Sequence, residues 1–250
     1  MSELFLSVVI PVYNEQQRIL GTLQQVTSYL AQQPYTWEVL VVDDGSTDAT
    51  RSLVEQFARE TGGVSLLALP HGGKGWALKG GMLKASGQYR FLSDADLSMP
   101  IEQLQRFLPP QLTGYDLAIG SRELPGSRRI GEPPARHLMG RVFNALVRLL
   151  AVPGIKDTQC GFKCLRGEVA QELFTLQRLH GFSYDVELLF LARQRGYRIV
   201  EVPIDWYYQP RSRVHPLRDT LQMTRDLLRI RWGHLRGKYR SLPTPAGERP

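Results

Sequence analysis

The sequence predicts an α/β fold: a mostly parallel, doubly wound sheet with helices on both faces, followed by an amphipathic helix near the C-terminus. Three observations predict it. Short apolar, β-branched runs alternate with longer helical patterns through the first 120 residues, the order that builds βαβ units. The runs are continuously apolar, as strands covered on both faces must be. The chain has 250 residues, which suits one large α/β domain better than two smaller ones.

In order, the runs at 7–12 (SVVIPV), 38–42 (EVLVV), 64–69, 89–93 and 116–120 predict strands, with helices at 16–31, 48–60, 74–86 and 101–108. Residues 123–134, rich in Pro, Gly and Arg, predict a mobile loop. Beyond it, Leu138, Val142, Leu146 and Leu150 recur every four positions with Met139, Phe143 and Val147 alongside, so a helix with one broad apolar face is expected from 135 to about 150. A helix at 184–195 and a strand at 198–204 follow. Pro216, a favourable first-turn residue, begins a last helix carrying Leu217, Leu221, Leu227 and Leu228. The chain thus divides into an α/β body over 1–210, a basic loop and helix over 211–240, and a frayed tail over 241–250.

The net charge of +7 points to an anionic partner: nucleic acid, anionic lipid or a phosphate-bearing substrate. No nucleic-acid reading motif accompanies it, so nucleic acid is not expected. No run reaches the roughly 18 apolar residues of a membrane span, and no basic leader precedes the first strand. Cys160 and Cys164 are too few for a structural zinc site and read as buried thiols in a reducing compartment.

The chemistry gathers after the strands, where doubly wound folds bind ligands. The first strand runs into Pro11-Val12-Tyr13-Asn14-Glu15 and the second into Val42-Asp43-Asp44-Gly45-Ser46-Thr47-Asp48. Asp48 reads as the N-cap of the next helix. Asp44, an acceptor only when ionised, suits base N–H groups or ribose hydroxyls. His71-Gly72-Gly73-Lys74-Gly75 puts glycine backbone and a lysine at a helix start, which suits an anion, though it is not a Walker A loop. The sharpest feature is Ser93-Asp94-Ala95-Asp96 after an apolar strand. Two carboxylates at one strand end suit a hard divalent cation shared with substrate phosphates.

As an ordered set, these motifs followed by Ser121-Arg122 resemble glycosyltransferase family 2 with the GT-A fold. Asp157-Thr158-Gln159-Cys160-Gly161-Phe162-Lys163, Tyr184-Asp185-Val186-Glu187 and Glu201-Val202-Pro203-Ile204-Asp205-Trp206 look like the dolichyl-phosphate β-glucosyltransferase group and its bacterial relatives. The resemblance spans roughly residues 6–235 and makes 1–210 a catalytic domain. It implies transfer of one sugar, glucose first, from a nucleotide diphosphate to a polyprenyl phosphate, with UDP-glucose as the first donor, GDP-mannose as the second, and Mg²⁺ or Mn²⁺ as cofactor. By the same resemblance Pro11, Tyr13, Glu15, Val42 and Asp44 cradle the nucleoside, and Asp94 and Ala95 meet ribose and phosphates. Asp94 and Asp96 hold the metal, while Lys74, Arg122, Lys163 and Arg213 meet phosphates. Ser98 stands where some mannosyltransferases carry a glutamine, and Arg211-Ser212-Arg213 where the glucosyltransferase group has Gly-Ser-Lys.

The implied mechanism is one inverting displacement by a phosphate that is already anionic, with Asp96 and its metal activating the leaving group and Arg122 and Arg213 aligning the acceptor. If the acceptor is instead a hydroxyl, Asp185 is the expected base; its other reading is an acid favoured by a helix N-terminus. A polyprenyl acceptor requires contact with a membrane, and the expected location is peripheral, on the cytoplasmic face. The helix near 135–150 is flanked by Arg128, Arg129, Arg136, Arg141 and Arg148. The last helix carries Arg218, Arg225, Arg229, Arg231, Arg236, Lys238 and Arg240 with Trp232 and Tyr239; both suit an interfacial helix or, alternatively, core packing with a solvated basic face. A rival from another class, a silent nucleotide- or lipid-binding protein, would have no use for the paired aspartates.

Overall fold

The computed structural model describes residues 3–209 and 216–239, apart from 135, 136, 138, 139, 142, 143, 146, 149 and 150, and apart from the side chains of 216–221. The strands are β1 (Leu6–Val12), β2 (Trp37–Asp44), β3 (Val64–Leu69), β4 (Tyr89–Leu92), β5 (Leu117–Ser121), β6 (Arg128–Ile130), β7 (Lys163–Arg166), β8 (Ile199–Pro203) and β9 (Asp205–Tyr207). The helices are α1 (Ile19–Leu30), α2 (Thr50–Glu60), α3 (Lys74–Lys84), α4 (Gly167–Leu176), α5 (Tyr184–Gln194) and α6 (Pro216–Leu235), with a 3₁₀ helix at Ile101–Phe107. Described residues between 134 and 148 are helical as well.

Seven strands form one sheet in the order β3-β2-β1-β4-β7-β5-β8. All neighbours are parallel except β7, which runs antiparallel to both β4 and β5. Alternate residues of the strands serve opposite faces. Val8 and Ile10 pack with α1 residues Ile19, Leu23 and Val26, while Val9 and Val42 pack beneath Ala77, Leu78 and Met82 of α3. The second face continues through Leu173 and Phe174 of α4, Leu188 and Leu189 of α5, and Met223, Leu227 and Ile230 of α6. Two apolar layers, one per face, explain why the strand runs contain so few polar residues.

The expected mostly parallel α/β fold with helices on both faces is the observed one. Two expectations change. The segment expected to be a mobile loop holds β6, which pairs in parallel with β9 as a separate two-stranded sheet. Arg128 in β6 is pinned by a bidentate pair with Asp205 in β9 (2.9 and 2.7 Å), so the Pro/Gly composition marks the ends of a short strand. Asp48 is one residue upstream of the N-cap, Ala49, yet its carboxylate accepts the N–H and hydroxyl of Thr50 and so still closes the helix entry. The expected apolar stripe at 138, 139, 142, 143, 146 and 150 lies outside the described residues; Val147 of that stripe is buried.

Candidate active site

A cleft of about 620 Å³ opens at the carboxyl ends of the parallel strands. The segments after β1 and β2 form one side and are tied together. Asn14, at φ 51°, receives the backbone N–H of Thr47 on its side-chain oxygen (2.8 Å) and donates its own N–H to Ser46 Oγ (2.9 Å). Glu15 donates its N–H to Thr50 Oγ1 (2.7 Å) and pairs with Arg18 (2.7 Å). The Tyr13 ring stacks on His71, centroids 4.4 Å apart.

Asp44 ends β2 with a carboxylate only 4% exposed. It accepts the backbone N–H groups of Gly72 (2.8 Å) and Gly73 (2.9 Å), and His71 Nδ1 lies 2.9 Å from it. Asp44 therefore shapes the glycine loop that opens α3 as well as lining the cleft. Gly73, the N-cap, has φ 102°, a conformation that L side chains rarely adopt.

The next residue, Lys74, reaches across to Asp94, with Nζ 2.6 Å from Oδ1. Burial alone would lower the ammonium's pKa, but Asp94, Asp185 and Asp96 together outweigh this and hold it above the ordinary lysine value. Asp94 is the carboxylate in contact with the ammonium, and the charges of Asp185 and Asp96 reinforce it. Gly161 packs directly against the Asp94 carboxylate, so closely that a methyl group there would overlap it. Asp96 accepts the N–H of Ser98 (2.9 Å) across Leu97, which sits at φ 45°. Thr22 Oγ1 of α1 donates to the Ala95 carbonyl (2.6 Å), fixing the turn between the two aspartates.

On the far wall Asp185, at the start of α5, faces the cleft. Behind it Lys163 of β7, 1% exposed, donates to its Oδ1 (2.5 Å) and to the Cys160 carbonyl. The phenol of Tyr184, the preceding residue, is pushed well above its ordinary pKa by burial and then by the charges of Asp185 and Asp94.

Asp94 and Asp96 are an oxygen-only donor pair. No group of three or more His, Cys, Asp and Glu suited to a metal occurs among the described residues. Two carboxylates cannot fill a divalent shell, but they fit Mg²⁺ or Mn²⁺ when phosphate oxygens and water supply the rest. Asp94 is already paired with Lys74, which leaves Asp96 the more available of the two.

This ordering of segments along one cleft, with a strand-end Asp-x-Asp at its centre, agrees with the comparison to protein families. The Glycosyl transferase family 2 profile matches residues 7–174. The chain belongs to glycosyltransferase family 2. It is 36% identical over 250 residues to the dolichyl-phosphate beta-glucosyltransferase of Drosophila melanogaster, an alignment covering 94% of this chain and 77% of the relative. The human protein of that name is 33% identical with the same coverages, and that of Dictyostelium discoideum 32% identical, covering 96% and 78%. Among solved structures, glucosyl-3-phosphoglycerate synthase from Mycobacterium tuberculosis with Mn²⁺, UDP and phosphoglyceric acid superposes with a TM-score of 0.67 at 21% identity, over 98% of this chain and 81% of that one. Mannosyl-3-phosphoglycerate synthase from Rubrobacter xylanophilus gives 0.66 at 19%, over 98% and 79%. These two share the fold.

In the glycosyltransferase cleft, Pro11, Tyr13, Glu15, Asp44, Lys74, Asp94, Ala95, Asp96, Arg122 and Asp185 all line the space. Two expected residues do not. Val42 is fully buried beneath α3, where its side chain packs on Gly81, because alternate residues of a covered strand face the core. Lys163 is walled off behind Asp185, so its side chain supports the cleft from within the protein. Arg213 lies outside the described residues. Ser98 lines the cleft but spends its N–H on Asp96.

Sequence reasoning named Asp157 within a motif but gave it no role. The structure gives it one: Asp157 takes Arg122 in a bidentate pair (2.7 and 2.9 Å) and also accepts the Arg122 N–H (3.0 Å). Glu201 in turn receives the N–H groups of Lys156 and Asp157 (2.9 and 3.0 Å). Burial alone would raise the pKa of Asp157, but the charge and hydrogen bonds of Arg122 outweigh it and push it down to about 2. The same pair holds Arg122 above its ordinary value. Trp206, likewise named only within a motif, had been given no role either. Its ring lies under the guanidinium groups of Arg122 (5.4 Å) and Arg129 (5.9 Å). The sequence signal for both was membership of a quoted motif, which does not say that the two meet at Arg122.

Proposed function

We propose that this glycosyltransferase moves glucose from UDP-glucose to a polyprenyl phosphate of the dolichyl type, with inversion, using Mg²⁺ or Mn²⁺ held by Asp96 and Asp94. The curated relatives carry that activity in their names, and the chain spans about three quarters of their length. The observation that carries the acceptor class is the Lys163–Asp185 pair. One oxygen of Asp185 is held by a buried ammonium at 2.5 Å, which leaves only the other to take a proton from a hydroxyl acceptor. A phosphate needs no base.

In this reading the metal, when bound, offsets charge building on the departing diphosphate. The protein's own groups do the positioning. The Tyr13 side of the cleft takes the nucleoside, and Asp44 keeps the glycine loop folded beside it. Lys74 provides a fixed positive charge beside Asp94. Arg122, stiffened by Asp157 and Trp206, presents a preformed cation to the attacking phosphate. Arg213 joins it by resemblance. The acceptor is lipid-borne, so the enzyme is assigned to a membrane surface, on the cytoplasmic side; the two free, buried cysteines fit a reducing compartment.

The test is transfer of labelled glucose from UDP-glucose to a detergent-dispersed polyprenyl phosphate, with GDP-mannose as competitor donor and Asp96→Ala as control. A metal-dependent, organic-soluble product lost on the order of 100-fold in Asp96→Ala is expected. Transfer only to hydroxyl acceptors, abolished by Asp185→Asn, would replace the phosphate reading.

A further inference from the structure

Helix α6 has two unlike faces. Its inner face is fully engaged: Met223, Leu227 and Ile230 are buried in the core, and Met223 also lines the cleft. Asp226 is buried too and accepts a hydrogen bond from Ser183 Oγ at the start of α5 (2.8 Å). The end of the helical segment is fastened by Tyr239, whose hydroxyl donates to Glu187 (2.8 Å), and by Arg178, which donates to the Lys238 carbonyl (2.7 Å).

Among the described residues, the apolar side chains of the outer face are not buried in this way. Leu228, Trp232 and Leu235 are 60, 60 and 78% exposed. Their spacing of four and three residues sets them along one stripe. Arg225, Arg231 and Arg236 are exposed beside it, and the Arg236 guanidinium lies 3.9 Å from the Trp232 ring centroid. Asp226 is the only acid between 222 and 239 and it is buried, so every ionised side chain exposed on this stretch is positive.

We propose that the outer face of α6 is a docking surface for an anionic lipid bilayer. Leu228, Trp232 and Leu235 enter the headgroup boundary, and the arginines beside them meet lipid phosphates. The sign of the charge selects this occupant. A second copy of the chain meeting the face symmetrically would set cation against cation. The position of α6 gives the docking a purpose, because the helix that touches the bilayer also walls the cleft. This deepens the proposed function, on which its purpose rests, by naming the surface that delivers the cleft to a lipid-borne acceptor.

Full-length protein is sedimented with phosphatidylcholine vesicles with and without phosphatidylserine, in the absence of donor and acceptor. Wild type is expected to pellet with the anionic vesicles, and high salt should release it. Each removal of Arg225 or Arg231 to alanine should weaken that binding about fivefold, and Leu228→Ser with Leu235→Ser should abolish it. These side chains are exposed, and an unchanged thermal midpoint checks that the variants fold. Brominated lipid should quench tryptophan emission in wild type and lose that part of the quenching in Trp232→Phe. Equal sedimentation with both vesicle types, variants that bind like wild type, or a dimer that these substitutions dissolve while no vesicle binding occurs would each overturn the proposal. Transfer to the detergent-dispersed acceptor is measured in parallel. Activity without vesicle binding sinks the docking surface alone, and vesicle binding without transfer sinks the acceptor reading alone.

Discussion

Gly161 illustrates how a single atom controls the cleft. A Cβ at this position would overlap the Asp94 carboxylate, which is the partner of Lys74. Gly161→Ala should push Asp94 off its position and lower kcat/KM for the nucleotide-sugar by roughly tenfold or more, since small displacements of positioned groups are costly in rate. The thermal midpoint should move far less than the rate, because Asp94 contributes little to the core. Asp157 acts differently, through Arg122. Its pKa falls to about 2 in the folded protein, below an unfolded value of about 3.9. A depressed carboxyl contributes stability that is present above the unfolded value and lost as pH falls through the folded one. The contribution is about 2–3 kcal/mol, and it disappears between about pH 4 and pH 2. Acid titration of stability should show this component in wild type and lack it in Asp157→Asn. That variant should also lose about 1–3 kcal/mol at neutral pH, because the half-buried Arg122 guanidinium loses its charged partner. Both Asp157 and Arg122 were named from the sequence. Their pairing was not legible, because they stand 35 residues apart and no local pattern links the two.

At the scale of elements, the entry to α3 is the piece on which the donor side depends. The sequence shows glycines before a lysine, and the structure adds what they avoid. Gly73 is at φ 102° and its missing side chain leaves room for the His180 carbonyl, 2.8 Å from where a Cβ would stand. Gly73→Ala should cost about 1–3 kcal/mol of stability, read by denaturant unfolding, and should raise the KM for donor more than that for acceptor. The neighbouring turn at 178–181 is itself held from α5, because Glu187 accepts the N–H groups of Arg178 and Leu179 (3.1 and 2.8 Å). The elements legible in the sequence, β1 to β5, β8, α1 to α3, α5 and α6, are those with an apolar run or a clear local period, while α4 (Gly167–Leu176) was not read. Strands β6, β7 and β9 were not legible. They are three or four residues long and each begins on a charged residue, Arg128, Lys163 and Asp205, so no apolar run marks them and only their partners make them strands.

At the scale of the whole molecule, the cleft joins segments from β1, β2, α3 and β4, so a ligand that bridges them, as the proposed donor would, should stabilise the whole fold. UDP-glucose with Mn²⁺ at about 100 times its dissociation constant should raise the thermal midpoint by about 5–10 °C. Asp96→Ala should remove most of that rise, while GDP-mannose should give a smaller one. The sequence by itself determined the α/β class, the strand-end placement of Asp44, Asp94 and Asp96, and the family, because periodicity and motif order are properties of neighbouring residues. Only the tertiary structure decided that Lys163 stands behind Asp185, that Asp157 holds Arg122, that Val42 belongs to the core, and which face of α6 is left uncovered. Each of those depends on which distant segments meet when the two apolar layers close on the sheet, and pairing across such distances is set by packing and leaves no trace in local spacing.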